Sequence, residues 1–169
     1  MASRTGRKLQ PHSAMDSQTV AAALRRLAPE LAPGGTTVAA LTRLSTGASL
    51  ETWAFDVGGG TVTRLILRRR DGVPGAFTSS VSLKTEAALL AAAERGGVPV
   101  AHLVRACEPA DGLGEAVIVT RIDGETRGRR IVSAARAAKA GPALAAQCGA
   151  ILARIHAIPV APAMHLAVS

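Results

Sequence analysis

The 169 residues include no tyrosine and no asparagine, with one Trp and two Phe. A module that reads bases by stacking them on several exposed rings is therefore not expected. The two cysteines, Cys107 and Cys148, stand alone without CxxC or Cys/His spacing, so neither a zinc site nor a disulfide framework is indicated. Both read as small buried fillers. Long apolar runs are missing as well. The longest, residues 87–93, is fenced by Glu86 and Glu94 and falls far short of a bilayer span, so no membrane partner is expected. The first residues are basic and polar with no apolar core of a secretory signal, which leads to the expectation of a cytoplasmic protein.

Acidic residues are also scarce: 12 Asp and Glu stand against 20 Lys and Arg, giving a net charge of +8. Such a balance favours phosphate-bearing partners through counterion release. The cations are nevertheless spread along the chain, clustering only at Arg68, Arg69, Arg70 and at Arg127, Arg129, Arg130, with no recognisable reading motif. A specific nucleic-acid partner is not expected. The length suits one domain. Apolar residues make up 48%, but 35 residues are Ala, so the larger side chains supply only a modest core.

Residues 1–15 lack apolar periodicity and read as a disordered basic tail. From Asp16 or Ser17, either a good N-cap, the positions Val20, Leu24, Leu27 and Leu31 form the stripe of an amphipathic helix that ends at Pro33-Gly34-Gly35. The period then changes, and TTVAALTRL, TWAFDV and TVTRLILRR read as three antiparallel strands. The triplet Gly58-Gly59-Gly60 is expected to be a tight hairpin connection, and STGASLE a longer turn. A loop over 70–80 leads to a Ser-capped helix with Leu83, Ala87, Leu90 and Ala91 on its apolar stripe. Two further strands, VAHLVRACE and EAVIVTRI, flank the turn PADGLG. After Asp123-Gly124-Glu125 the pattern is helical, with a second helix from Gly141-Pro142 carrying Leu144, Cys148, Ile151, Leu152 and Ile155 on one stripe.

Phosphate-loop motifs are weak. No GxxxxGK[ST] occurs, and Gly112-Leu113-Gly114 lies between strands rather than before a helix, which disfavours a dinucleotide fold. The segment LSTGASLETW is a small, hydroxyl-rich turn between strands that suits either an ordinary loop or a cradle of backbone N–H groups for a triphosphate. Glu86 adds a firmer constraint. It lies within the stripe expected to face the sheet, where it either bends to solvent at the stripe's edge or, turned inward, needs a cation or hydrogen-bond donors. Arg68, on the strand face opposite Leu65 and Leu67, is the candidate cation. A strand cation paired with a carboxylate on the next helix positions phosphate in kinases.

The order of LSTGASLETWAFDV, a Gly turn, LILRR, TEAALLAAAERGGVPV, EAVIVTRIDGE and ILARIHAI resembles the amino-terminal lobe of the aminoglycoside phosphotransferase family over residues 17–160. The resemblance implies an α+β fold: a protein-kinase-like N-lobe over 16–125, built on a five-stranded antiparallel sheet with a crossing helix and an N-terminal helix. Residues 126–169 would form linker helices and the start of a truncated second lobe. It further implies ATP-dependent phosphoryl transfer to the hydroxyl of a small molecule whose identity stays open. Ser45, Thr46, Gly47, Ala48 and Ser49 would cover the ATP phosphates, with Thr46 where a Gly is common. Arg68 would meet the α- and β-phosphates with Glu86 as its helix partner. Val119 would flank the adenine, and the backbone of Thr120, Arg121 and Ile122 would form the hinge.

In this family Mg²⁺ and the acceptor are served by an Asp in an HGD- or HxD-type loop, an Asn and a further Asp in the second lobe. No His in this chain has Asp at +1 or +2, and there is no Asn. The chain is therefore expected to carry only the nucleotide-binding lobe and to be inactive alone. His156 is expected to be structural, and no catalytic context surrounds His12, His102 or His165. A kinase-derived module that docks a protein partner over its C-terminal helices is the alternative reading, and a basic nucleic-acid-binding protein ranks behind it.

Overall fold

A computed structural model describes residues 15–44, 50–70 and 81–159. The expected tail, apart from Met15, and most of the loop expected over 70–80 lie outside the described residues.

Helix α1 (Ser17–Leu31) starts where extended Asp16 turns its carboxylate back to accept the N–H groups of Gln18 and Thr19 at 2.8 and 3.0 Å. That bond satisfies donors for which the first helical turn has no partner. Strands β1 (Thr37–Leu44), β2 (Leu50–Gly58), β3 (Thr63–Arg70), β4 (Leu103–Ala106) and β5 (Ala116–Thr120) form one sheet in the order β1-β2-β3-β5-β4. Every neighbouring pair is antiparallel. Helix α2 (Leu83–Arg95) joins β3 to β4, and α3 (Gly128–Ala137) and α4 (Gly141–His156) follow β5. The fold is α+β, with the five antiparallel strands and four helices of a kinase-like N-lobe.

Side-chain alternation gives the sheet two working faces. On one, Trp53, Phe55 and Val57 of β2 and Leu65 and Leu67 of β3 are buried beneath the α1 stripe of Val20, Leu24, Leu27 and Leu31. Complete burial of side chains such as Phe55, Leu24 and Leu65 stabilises by roughly 2–3 kcal/mol each relative to exposure. On the other face Leu83 and Ala87 of α2 pack on Val117, Leu50 and Leu103. Leu90 and Ala91 are only half-buried there, while Thr85 and Ala92 are buried.

Four local expectations need correction. The turn between β1 and β2 is shorter than STGASLE, because Leu50 and Glu51 pair with Arg70 and Arg69 as part of β2. The hairpin after β2 is not a tight turn over the Gly triplet: β3 starts at Thr63, and Gly59 is needed for close approach, since a Cβ there would stand 2.3 Å from the Gly34 carbonyl oxygen. Strand β1 carries a bulge between Ala39 and Thr42, with Ala40 at φ 52°. The extra residue brings both Val38 and Leu41 against the α1 core, which simple alternation would have sent to opposite faces. Finally, Cys148 is exposed rather than a buried filler, while Cys107 is half-buried against the α1 core.

No residue of α3 or α4 is buried, and Leu144, Leu152 and Ile155 are exposed among the described residues. No helix among the described residues is long and apolar enough to cross a membrane.

Candidate functional site

The site is built on the sheet face that carries α2. Arg68 sits on β3 between Thr52 of β2 and Val117 of β5, so its side chain rises on the same face as Val117. Ser82 caps α2 by accepting the Thr85 N–H at 3.0 Å. One turn into that helix, Glu86 accepts a hydrogen bond from Arg68 Nη1 through Oε1. The inward carboxylate of Glu86 thus finds its cation, and both side chains keep partial exposure, 35% for Arg68 and 26% for Glu86. A guanidinium held in this way retains donors for an anion above the sheet.

Val119 follows Val117 on the same face and is almost fully buried. The three residues expected to form the hinge differ in what they can offer. The Thr120 N–H donates to the His102 carbonyl and the Arg121 N–H to the Arg64 carbonyl, both at 2.9 Å. The Ile122 N–H has no partner among the described residues. Just beyond, Asp123 is held by Arg64 at 2.7 Å and Arg121 at 3.4 Å. Glu125 accepts the Arg127 N–H at 2.9 Å at the start of α3.

Register sets the order of these groups along the sheet. Thr120 lies opposite Leu65, and Arg68 is three residues further along β3, about 10 Å at the rise of a strand. The end of β3, at Arg70, pairs with Leu50, the first residue of β2. Thr120, Arg68 and the start of β2 at Leu50 therefore follow one another along the sheet. Ser45, Thr46, Gly47, Ala48 and Ser49, which make up that connection, lie outside the described residues.

Magnesium does not fit the described residues: no group of three or more His, Cys, Asp or Glu side chains among them could hold a metal ion. Glu86 is the carboxylate beside Arg68, and it is already paired. Cys107 is not an activated nucleophile either. Burial, and next the charge of Asp111, push the Cys107 thiol up to about 12, so it stays protonated near neutral pH. His156 is exposed at the C-terminal end of α4, and His102 contacts Glu94 at 2.7 Å on the surface.

Sequence reading missed a second charge cluster on the opposite face. Arg69 and Glu51, cross-strand partners, form a buried ion pair, and Arg69 Nε donates to the Leu113 carbonyl at 3.2 Å. Arg43 reaches Glu51 at 2.8 Å and lies 5.8 Å from the Trp53 ring centroid. The available signal was the Arg68-Arg69-Arg70 run: alternation must turn its middle member inward, and Glu51 was read as turn rather than strand.

The α+β lobe, with five antiparallel strands and a strand guanidinium set against a helix carboxylate, has a phosphotransferase-like kinase fold. The chain belongs to the phosphotransferase enzyme family (APH), whose family model matches residues 40–167. The match begins within β1 and takes in every later element, leaving α1 ahead of it. No curated protein and no solved structure matches the chain.

Proposed function

We propose that this chain is the nucleotide-holding part of an ATP-dependent small-molecule kinase of the aminoglycoside phosphotransferase type. The observation that carries the reading is the Arg68–Glu86 pair on the α2 face of the sheet. Arg68 would hold the α- and β-phosphates, Glu86 would fix its guanidinium, and backbone N–H groups of Ser45, Thr46, Gly47, Ala48 and Ser49 would cover the phosphates. Val119 would pack on the adenine. The hinge contact narrows to the Ile122 N–H and the neighbouring carbonyls, because Thr120 and Arg121 spend their N–H groups in the sheet.

Catalysis in such a site rests on positioning and electrostatics more than on covalent chemistry by the protein. The chain's own contribution is a fixed cation for the phosphates and a shaped edge for the base. The acidic and amide groups that would serve Mg²⁺ and the hydroxyl acceptor are not supplied by an HxD motif or an Asn in these 169 residues. Binding of ATP without transfer is the behaviour this reading expects of the chain alone. A cytoplasmic location, where ATP is at hand, goes with it. Incubating the pure chain with labelled ATP and a panel of amino-sugar, sugar, choline-like and amino-acid-like alcohols tests this: ATP is retained and no acceptor is phosphorylated over many turnovers. Sustained transfer would overturn the inactive-alone reading, and failure to retain ATP at millimolar concentration would overturn the nucleotide reading.

The exposed Leu144, Leu152 and Ile155 on α4 favour a second reading, a protein partner that covers the C-terminal helices. A stable hetero-complex that is lost in Leu152→Asp and Ile155→Asp variants supports it, and a chain that stays monomeric and unbound in its native extract removes it.

A further inference from the structure

Glu115 lies on the turn immediately before β5, yet its carboxylate serves the start of α2. Its Oε1 accepts the Leu83 N–H at 2.6 Å, and its Oε2 accepts Arg70 Nε at 2.9 Å. Arg70 continues the contact by donating Nη2 to the Val81 carbonyl at 2.9 Å, and its backbone N–H donates to the Glu115 carbonyl at 2.9 Å. Leu83 is the first residue of α2, and its N–H is one of the donors that no helical carbonyl can take. Ser82 satisfies the Thr85 N–H, and Glu115 satisfies this one. A carboxylate at that end also complements the helix dipole.

Arg70 is two residues beyond Arg68, so both guanidinium groups leave β3 on the face that carries α2. One strand thus holds the helix twice: Arg68 grips Glu86, and Arg70 acts through Glu115 on the turn before it. A helix held at one point can pivot or roll about its axis. Two contacts three residues apart, about 4.5 Å along the axis, block both motions.

We infer that Glu115, held in place by Arg70, is a positioning residue that fixes α2 so that Glu86 presents Arg68 to the phosphates of the nucleotide. The inference rests on the reading of Arg68 as the phosphate-holding cation. The contact between Glu94 and His102 near the far end of α2 provides the internal comparison. Both of its side chains are about half exposed, so it belongs to the weak surface class.

The test uses the full chain. In Glu115→Ala, amides of residues 83–86 exchange about tenfold faster, the Arg68 Nε–H resonance shifts, and MgATP affinity measured by titration calorimetry falls about tenfold, the scale of one lost charge-assisted hydrogen bond. Glu115→Gln, which keeps an acceptor for the Leu83 N–H, recovers most of all three. Glu94→Gln changes none of them. An unshifted Arg68 resonance in Glu115→Ala, or an undiminished MgATP affinity when Arg68→Ala abolishes binding, overturns the positioning role. If the unaltered chain does not bind MgATP, the nucleotide reading falls while the exchange rates and the Arg68 resonance still decide whether Glu115 sets the pair. Should Glu115→Ala lose its helical circular dichroism, Arg70→Gln is read by the same three measurements, with the same outcomes expected and excluded.

Discussion

Arg68 and Arg69, consecutive on β3, send their guanidinium groups to opposite faces of the sheet: Arg68 to Glu86 of α2, Arg69 to the buried Glu51 of β2. Identical side chains one residue apart therefore do different work. Arg69 neutralises a carboxylate shut away from water, and removing it leaves that charge with only the half-exposed Arg43. Arg69→Met should cost about 3 kcal/mol, the scale for breaking a buried pair. Arg68→Ala should cost under about 1 kcal/mol, since its pair is partly solvated. Urea unfolding of the two variants checks the asymmetry, and equal losses would contradict it.

The approach of the β2–β3 hairpin to the α1–β1 turn makes one glycine sensitive and its neighbour tolerant. A Cβ on Gly59 would meet the Gly34 carbonyl oxygen at 2.3 Å, whereas one on Gly60 meets nothing within 4 Å. The first clash is with backbone and cannot be relieved by a rotamer change. Gly59→Ala should lose about 1–3 kcal/mol of stability and Gly60→Ala well under 1 kcal/mol, read as a difference in Tm.

Ala40 holds a left-handed backbone conformation, φ 52°, at the β1 bulge. That conformation strains a residue with a Cβ by about 1–2 kcal/mol, while glycine gives back about 0.5–1 kcal/mol through the entropy of the unfolded chain. Ala40→Gly should therefore raise stability slightly, by up to about 1 kcal/mol. A clear drop in Tm would show that the bulge does not need this conformation.

Asp111 receives Arg105 through two bonds, Nε at 2.9 Å and Nη2 at 2.8 Å, and Arg105 also binds Glu30 of α1 at 2.6 Å. The Arg105 hydrogen bond, the largest influence, holds the Asp111 carboxyl below its ordinary range. A carboxyl depressed in the folded state stabilises fully above its unfolded value, about 3.9, and loses that contribution as pH falls through the lowered folded value. The stability gap between the unaltered chain and Asp111→Asn should be constant from pH 7 to about 5 and shrink below about pH 4. A gap independent of pH down to 2 would contradict the assignment.

Much of the scaffold was legible because the signals were periodic and local. Asp16 and the Val20, Leu24, Leu27, Leu31 stripe fixed α1, and alternation in Trp53, Phe55 and Val57 fixed the inward face of β2. The Arg68–Glu86 contact was legible for a different reason: a carboxylate at a stripe position calls for compensation, and Arg68 was a strand cation on the face that carries α2. What escaped depends on register. A single extra residue at Ala40 cannot be read from the alternation of TTVAALTRL, the inward turn of Arg69 needs Glu51 to be strand, and the capping of α2 by Glu115 joins residues 32 apart in the chain. The Gly triplet suggested a tight turn, although what demands Gly59 is a neighbour from another part of the fold.

The central claim is that Arg68, held by Glu86, and the Ile122 N–H, which has no partner among the described residues, face one nucleotide. A ¹H–¹⁵N titration of the full chain with MgATP measures this directly. The account predicts saturable shifts at the Arg68 Nε–H and the Ile122 amide, with Val119 moving too, and loss of the whole footprint in Arg68→Ala while the remaining spectrum stays folded. Shifts confined to α3 and its arginines, or a footprint that survives Arg68→Ala, would contradict it.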